Sequence, residues 1–137
     1  DACVILREFY PYTQDYQDLR RVITDQWQDR LCLGFVLGEN GRWELAQGEL
    51  SIATKKARAI YDYRQYFENV GIRIAEFYLS HDRFQEALVI YEDALSRNPN
   101  NPYAKNKIEE ISKKMELHME TLSEKEAPLD AGYQRAF

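Results

Sequence analysis

Cysteine is scarce. Cys3 and Cys32 are the two in 137 residues, too few to define a disulfide framework. Cys32 lies in an apolar helical segment and reads as a small buried hydrophobe. Cys3 follows Ala2 in an order loosely like a lipid-modified N-terminus. Histidine is equally rare. His81 and His118 have no Cys or His partner at metal-ligand spacing, so neither a metal nor any other cofactor is expected. No apolar run approaches the ~20 residues that cross a bilayer, so no membrane span is expected. The formal net charge is −5. Without a basic patch for a phosphate backbone, nucleic acid is not an expected partner. No Asn-x-Ser/Thr acceptor occurs. An Asp at position 1 reads as the start of an excised or processed piece. With 6 Gly and 4 Pro, little interrupts the helix formers that remain.

Those helix formers are periodic. Leu19, Val22, Ile23, Trp27, Leu31 and Gly34 recur every three or four residues, predicting one long helix capped by Thr13 behind Pro11. It stops at the GENG turn, residues 38–41. A second helix is expected from Arg42 to Tyr61, with Trp43, Ala46, Leu50, Ala53, Ala57 and Ile60 as its buried stripe. Asp62 and Gln65 form a capping box for a third. That helix carries Tyr66, Val70, Ile74, Ala75 and Tyr78 and ends at SHDR. The fourth runs from Phe84 to Ser96. The fifth opens with Asn101 as cap and Pro102 in the first position. Its narrow seam is Ala104, Ile108, Ile111, Met115, His118 and Leu122. Residues 123–137 read as a tail.

Two small residues seven apart, Ala87 and Ala94, ask for a physical reason. Antiparallel helices approach closely only where small side chains meet, and Ala75 on one helix with Ala87 on the next would allow it. Ile74, Ala75, Tyr78, Phe84, Ala87, Tyr91, Ala94 and Pro99 together resemble the tetratricopeptide repeat, a helix–turn–helix unit of about 34 residues. Gly71 replaces the motif's early tryptophan, and Asp82 its turn glycine. The order recurs as Leu33, Gly34, Leu37, Gly41, Trp43, Ala46, Leu50 and Ala53. The offset is 41 residues, and the extra seven are about two helical turns. Whole turns lengthen facing helices without rotating their stripes.

The resemblance implies an all-α fold, a short right-handed superhelix of antiparallel helix hairpins within one domain. Residues 1–26 hold an N-terminal segment and the start of the long first helix. Residues 27–67 are an extended first repeat, 68–101 a second and 102–122 a capping helix. A half-a-TPR repeat is the alternative within helical arrays, since KARAIYDYRQYF has some of its character.

Signs of catalysis are absent from the sequence. His118 on an apolar seam reads as an interface histidine, Glu109 and Glu110 point to different faces, and GENG lacks the lysine and strand of a phosphate loop. The tyrosine clusters, Tyr10, Tyr12 and Tyr16 with Phe9 and Tyr61, Tyr63 and Tyr66 with Phe67, read first as packing and second as partner surface. The resemblance implies a module that binds a peptide or partner domain along the concave face of its first helices. Carried onto this chain, that face is Gln28, Leu31, Cys32 and Phe35, then Asn69, Ile72, Arg73, Glu76 and Ser80, then Tyr103 and Asn106. The chaperone-binding carboxylate clamp is not expected, because only Arg73 and Asn69 match it, with Phe35 and Glu76 in place of asparagines. The other expectation is a structural piece of a larger helical-repeat scaffold. Two repeats are fewer than independent stability usually requires, and self-association through an exposed end, giving a homo-oligomer, would compensate.

Overall fold

The computed structural model describes residues 2–9 and 15–135, with side chains as far as residue 122. Tyr10, Pro11, Tyr12 and Thr13 lie outside the described residues, and with them the expected Thr13 cap. All elements among the described residues are helical: α1 Ala2–Phe9, α2 Tyr16–Arg21, α3 Trp27–Glu39, α4 Trp43–Ile60, α5 Tyr63–Tyr66, a π-helical turn Phe67–Gly71, α6 Ile72–Ser80, α7 Phe84–Arg97 and α8 Pro102–Arg135. They form two compact units, Asp1–Phe77 and Tyr78–Phe137, the division falling within α6.

In the first unit α3 is the central rod. Every residue from Arg30 to Gly38 is buried, the signature of a helix surrounded by others. Gly34 is the point where α3 and α4 touch. A Cβ there would lie 2.7 Å from Leu50 Cδ2 and 3.3 Å from the Ala46 carbonyl oxygen. Ala46, Leu50, Ala53 and Ala57 are all buried along α4. Ile60, expected on that stripe, is 67% exposed, because the backbone turns extended at Tyr61 and the stripe ends with Ala57.

The expected long first helix is two helices. Asp15 caps α2 by accepting from Gln17 N. The chain then leaves the helix at Val22 and restarts at Trp27. Thr24 explains the break: its backbone N–H and its hydroxyl both donate to Asp29 Oδ2, each at 2.7 Å. Such a side-chain partner satisfies the backbone outside a helix and competes with the ladder.

The capping box at Asp62 forms, with Asp62 accepting from Gln65 N at 2.8 Å and Gln65 Oε1 accepting from Asp62 N at 3.3 Å. Past it the ladder widens into the π-helical turn. Gly71 permits this crowding, as a Cβ there would meet Phe67 Cδ2 at 3.1 Å. Asn69 Nδ2 donates to the Gln65 carbonyl at 2.8 Å, supplying a donor within the irregular turn.

In the second unit α7 and α8 run antiparallel. Tyr91 faces Tyr103 near one end, rings 6.0 Å apart, and Phe84 faces His118 near the other at 5.9 Å. Ala87, Tyr91, Ala94, Ala104 and Ile111 are buried between them and their neighbours. Asn101 Oδ1 caps α8 by accepting from Tyr103 N and Ala104 N at 3.1 and 3.2 Å. The helix does not stop at Leu122. It continues to Arg135, so residues 123–135 are helix, where a tail was expected. This stretch has one proline and one glycine in thirteen residues, and Glu124, Lys125 and Glu126 before them are good helix formers.

The two units share one local device. Gly41 N donates to the Gly38 carbonyl and Arg42 N to Leu37, each at 2.9 Å. Forty-one residues on, Asp82 N donates to Leu79 at 3.1 Å and Arg83 N to Tyr78 at 2.9 Å. Both are the paired closing bonds of a Schellman motif. Its left-handed residue is Gly41, φ +79°, in the first and Asp82, φ +57°, in the second.

Candidate functional site

The residues expected on the partner-binding face fall into two groups. On the first unit, Gln28, Asn69, Arg73 and Glu76 are exposed and Ile72 is half-buried. Leu31 has no exposed surface and Phe35 is 7% exposed, so neither presents its side chain to a partner. Leu31 sits inside the central rod. Phe35 packs its ring 4.7 Å from that of Phe77, which also lies 5.5 Å from Trp43. This aromatic group closes over Gly38, where a Cβ would be 2.5 Å from Phe77 Cζ and 2.9 Å from Trp43 Cζ3. Arg73 lies above it, its guanidinium carbon 5.9 Å from the Phe35 centroid. Phe35 therefore acts as the floor under an exposed cation. Gln28 lines a shallow cleft of ≈ 590 Å³ together with Asp25, Gln26, Trp27, Lys56 and Ile60. On the second unit, Tyr103 and Asn106 are exposed on α8, and the Lys107 ammonium stands 5.7 Å from the Tyr103 ring centroid.

The tyrosines near the α4–α5 corner are packing groups first. Tyr61 meets Trp27 edge-on at 6.1 Å. The Arg58 guanidinium lies 5.2 Å from the Tyr63 centroid and 5.7 Å from that of Tyr66. Tyr66 and Phe67 are buried.

Two features of the first unit escaped the sequence reading. One is a charged cluster inside the α3–α4 hairpin. Arg30 Nη1 donates to both oxygens of Glu49, at 3.0 and 2.9 Å, and the Glu49 side chain has no exposed surface. Arg30 also donates to Asp25, and Lys56 Nζ donates to the other Asp25 oxygen at 2.9 Å. The Tyr16 hydroxyl donates to Glu49. Arg30 hydrogen bonds and the Lys56 ammonium hold the Asp25 carboxyl down at about 2. Partial burial works against the charge on Arg30, but Glu49 and Asp25 outweigh it and raise its pKa. Burial and the Glu49 carboxylate raise that of Tyr16. These polar groups answer one another, so the cluster ties α2, α3 and α4 together. The signal was in the sequence: Glu49 stands between Ala46 and Ala53 on the buried stripe, and Arg30 beside Leu31 on the facing one.

The second feature is a disulfide. Cys3 and Cys32 are joined, with Cα atoms 4.8 Å apart, which replaces both expectations, the buried free thiol and the lipid-like N-terminus. The reason is α1, whose Leu6 is fully buried and whose Arg7 pairs with Glu39 at 2.9 Å, laying α1 along α3 in the same direction.

No helix among the described residues is long and apolar enough to cross a membrane. No group of three or more metal-binding side chains occurs among them. Compared with protein-family models, curated proteins and solved structures, the chain matches none.

Proposed function

We propose that this chain is a non-catalytic protein-interaction module of the tetratricopeptide kind, holding a peptide or partner domain on the exposed side of the first helix of each pair, α3 and α6, and of α8. The observation that carries this reading is the recurrence of one hairpin turn, at Gly41 and at Asp82, with the same backbone hydrogen bonds and flanking small residues. On the first unit the contact residues are Gln28, Asn69, Ile72, Arg73 and Glu76, with Phe35 as the platform that orients Arg73. Tyr103 and Asn106 are their counterparts on the second. A surface mixing cation, anion and amide suits an extended polar peptide with an acidic residue opposite Arg73.

The test is binding of immobilised chain to a library of unstructured peptides. Arg73→Glu should weaken the selected peptides about tenfold or more, the scale of an interface hot spot, with the circular dichroism spectrum unchanged. Equal affinity in wild type and variant for every selected peptide would remove Arg73 from the site.

A second reading, a scaffold piece that self-associates, is favoured by Leu117, Met119 and Leu122 on α8, which are 62%, 63% and 41% exposed. Light scattering at two concentrations decides it. A mass that does not rise with concentration goes against it.

A further inference from the structure

We infer that the Cys3–Cys32 bond is a redox-operated latch: closed, it keeps α1 on α3; opened by a dithiol reductant, it lets α1 leave while α3 and α4 stay folded. The inference stands apart from the peptide-binding reading, because release of α1 is observable whether or not any partner binds.

α1 and α3 are held in very different ways. α1 has eight residues, from Ala2 to Phe9, and an isolated helix that short does not persist in water. Its packing stripe is narrow: Ala2, Cys3 and Leu6 are buried, and Leu6 is the one large side chain among them. Its outer side leaves Val4, Ile5 and Phe9 at 48%, 42% and 71% exposure. The Arg7–Glu39 pair joins side chains that are 49% and 33% exposed, and ion pairs in that setting add little. The covalent bond is therefore the principal restraint on α1, closing the loop from Cys3 to Cys32 and removing most of the freedom an undocked α1 would have. α3 is held independently on its other sides by the Gly34–Leu50 contact, the Phe77 and Trp43 rings over Gly38, and the Arg30–Glu49 pair. Opening the bond subtracts much from one helix and little from the other. It also bares the Cys32 side of α3, three residues from Phe35.

The chemistry is ordinary thiol–disulfide exchange. A reductant thiolate attacks one protein Sγ, forming a mixed disulfide and expelling the other cysteine as a thiolate that takes up a proton. The second reductant thiol then attacks the mixed disulfide and frees the remaining cysteine. The protein gains two electrons and two protons, and the reductant leaves as its own disulfide. Cys3 is the second residue of α1, so fraying of one turn gives the reductant access.

The experiment is hydrogen exchange by mass spectrometry on the full chain, oxidised and after dithiothreitol, with thiols counted by alkylation. On reduction, amides of residues 2–9 should exchange roughly tenfold faster or more, while residues 27–60 keep their protection. Cys3→Ser should behave like the reduced protein without reductant. Unchanged protection of residues 2–9 with both thiols alkylated would overturn the latch. So would loss of protection across α3 and α4, which would make the bond a staple for the whole unit. Two free thiols in protein purified without reductant would overturn it as well.

Discussion

The turns at Gly41 and Asp82 close their helices with the same two hydrogen bonds, but from residues of very different freedom. Glycine takes a left-handed backbone without steric cost. Aspartate takes it at a cost, though less than most residues, because its short polar side chain finds partners nearby. The shared geometry is thus demanded by the orphan carbonyls at each helix end, and the residue merely tolerates it. The hairpins differ more sharply inside. At the 41-residue offset, Glu49 corresponds to Ile90, Arg30 to Gly71 and Gly34 to Ala75. The first hairpin builds its centre from a buried ion pair and a close glycine contact, whereas the residues at the corresponding positions of the second carry no charge.

The largest break in this comparison comes from the ion pair. Glu49→Leu leaves Arg30 buried beside Asp25 alone and should cost about 3–5 kcal/mol, read by urea denaturation. Adding Arg30→Met should restore most of that loss, because an apolar pair replaces the buried charges. If the double variant is no more stable than the single, the pair is not what distinguishes the hairpins. Next comes Gly34→Ala, which copies Ala75 into the first hairpin. Its Cβ would meet Leu50 at 2.7 Å, so a loss of about 1–3 kcal/mol is expected; a neutral result would mean that Leu50 has room to yield. The turns supply a smaller pair of effects. Asp82→Gly should stabilise by about 0.5–1 kcal/mol and Gly41→Ala destabilise by about 1 kcal/mol. Opposite signs in thermal melts support equivalence of the turns, and like signs break it. The smallest effect is on acid stability. The Asp25 pKa is depressed to about 2 in the fold, so its contribution is complete above the unfolded value near ~4 and is lost as pH falls toward 2. Asp25→Asn should flatten that part of the acid limb, visible as a change in slope of stability against pH.

Much of this was legible in sequence. Small residues at helical spacing located the α3–α4 contact, and Asp62 with Gln65 and Asn101 with Pro102 marked helix starts, because these signals act within a few residues. The break at Thr24 was hidden, since apolar spacing ran through it and only the bond to Asp29 interrupts the ladder. The disulfide was hidden because α1 is too short to show periodicity. Leu31 and Phe35 were read as surface because a helix enclosed on every side has no polar stripe to mark its exposed edge. For Ile60 the stripe was extrapolated past the residue where the backbone turns away.

The wide turn at Phe67–Gly71 decides where this chain can vary in length. Deleting one residue there would restore a regular ladder and leave the side chains after Gly71 facing much as they do, because such a turn is one extra residue absorbed without rotating the helix beyond it. Ile74 and Ala75 would stay in the interior, and Arg73 would keep its place above Phe35. Loss of a single residue is therefore tolerable in this stretch, whereas the same loss in the regular helix of α6 would turn everything beyond it by about 100°.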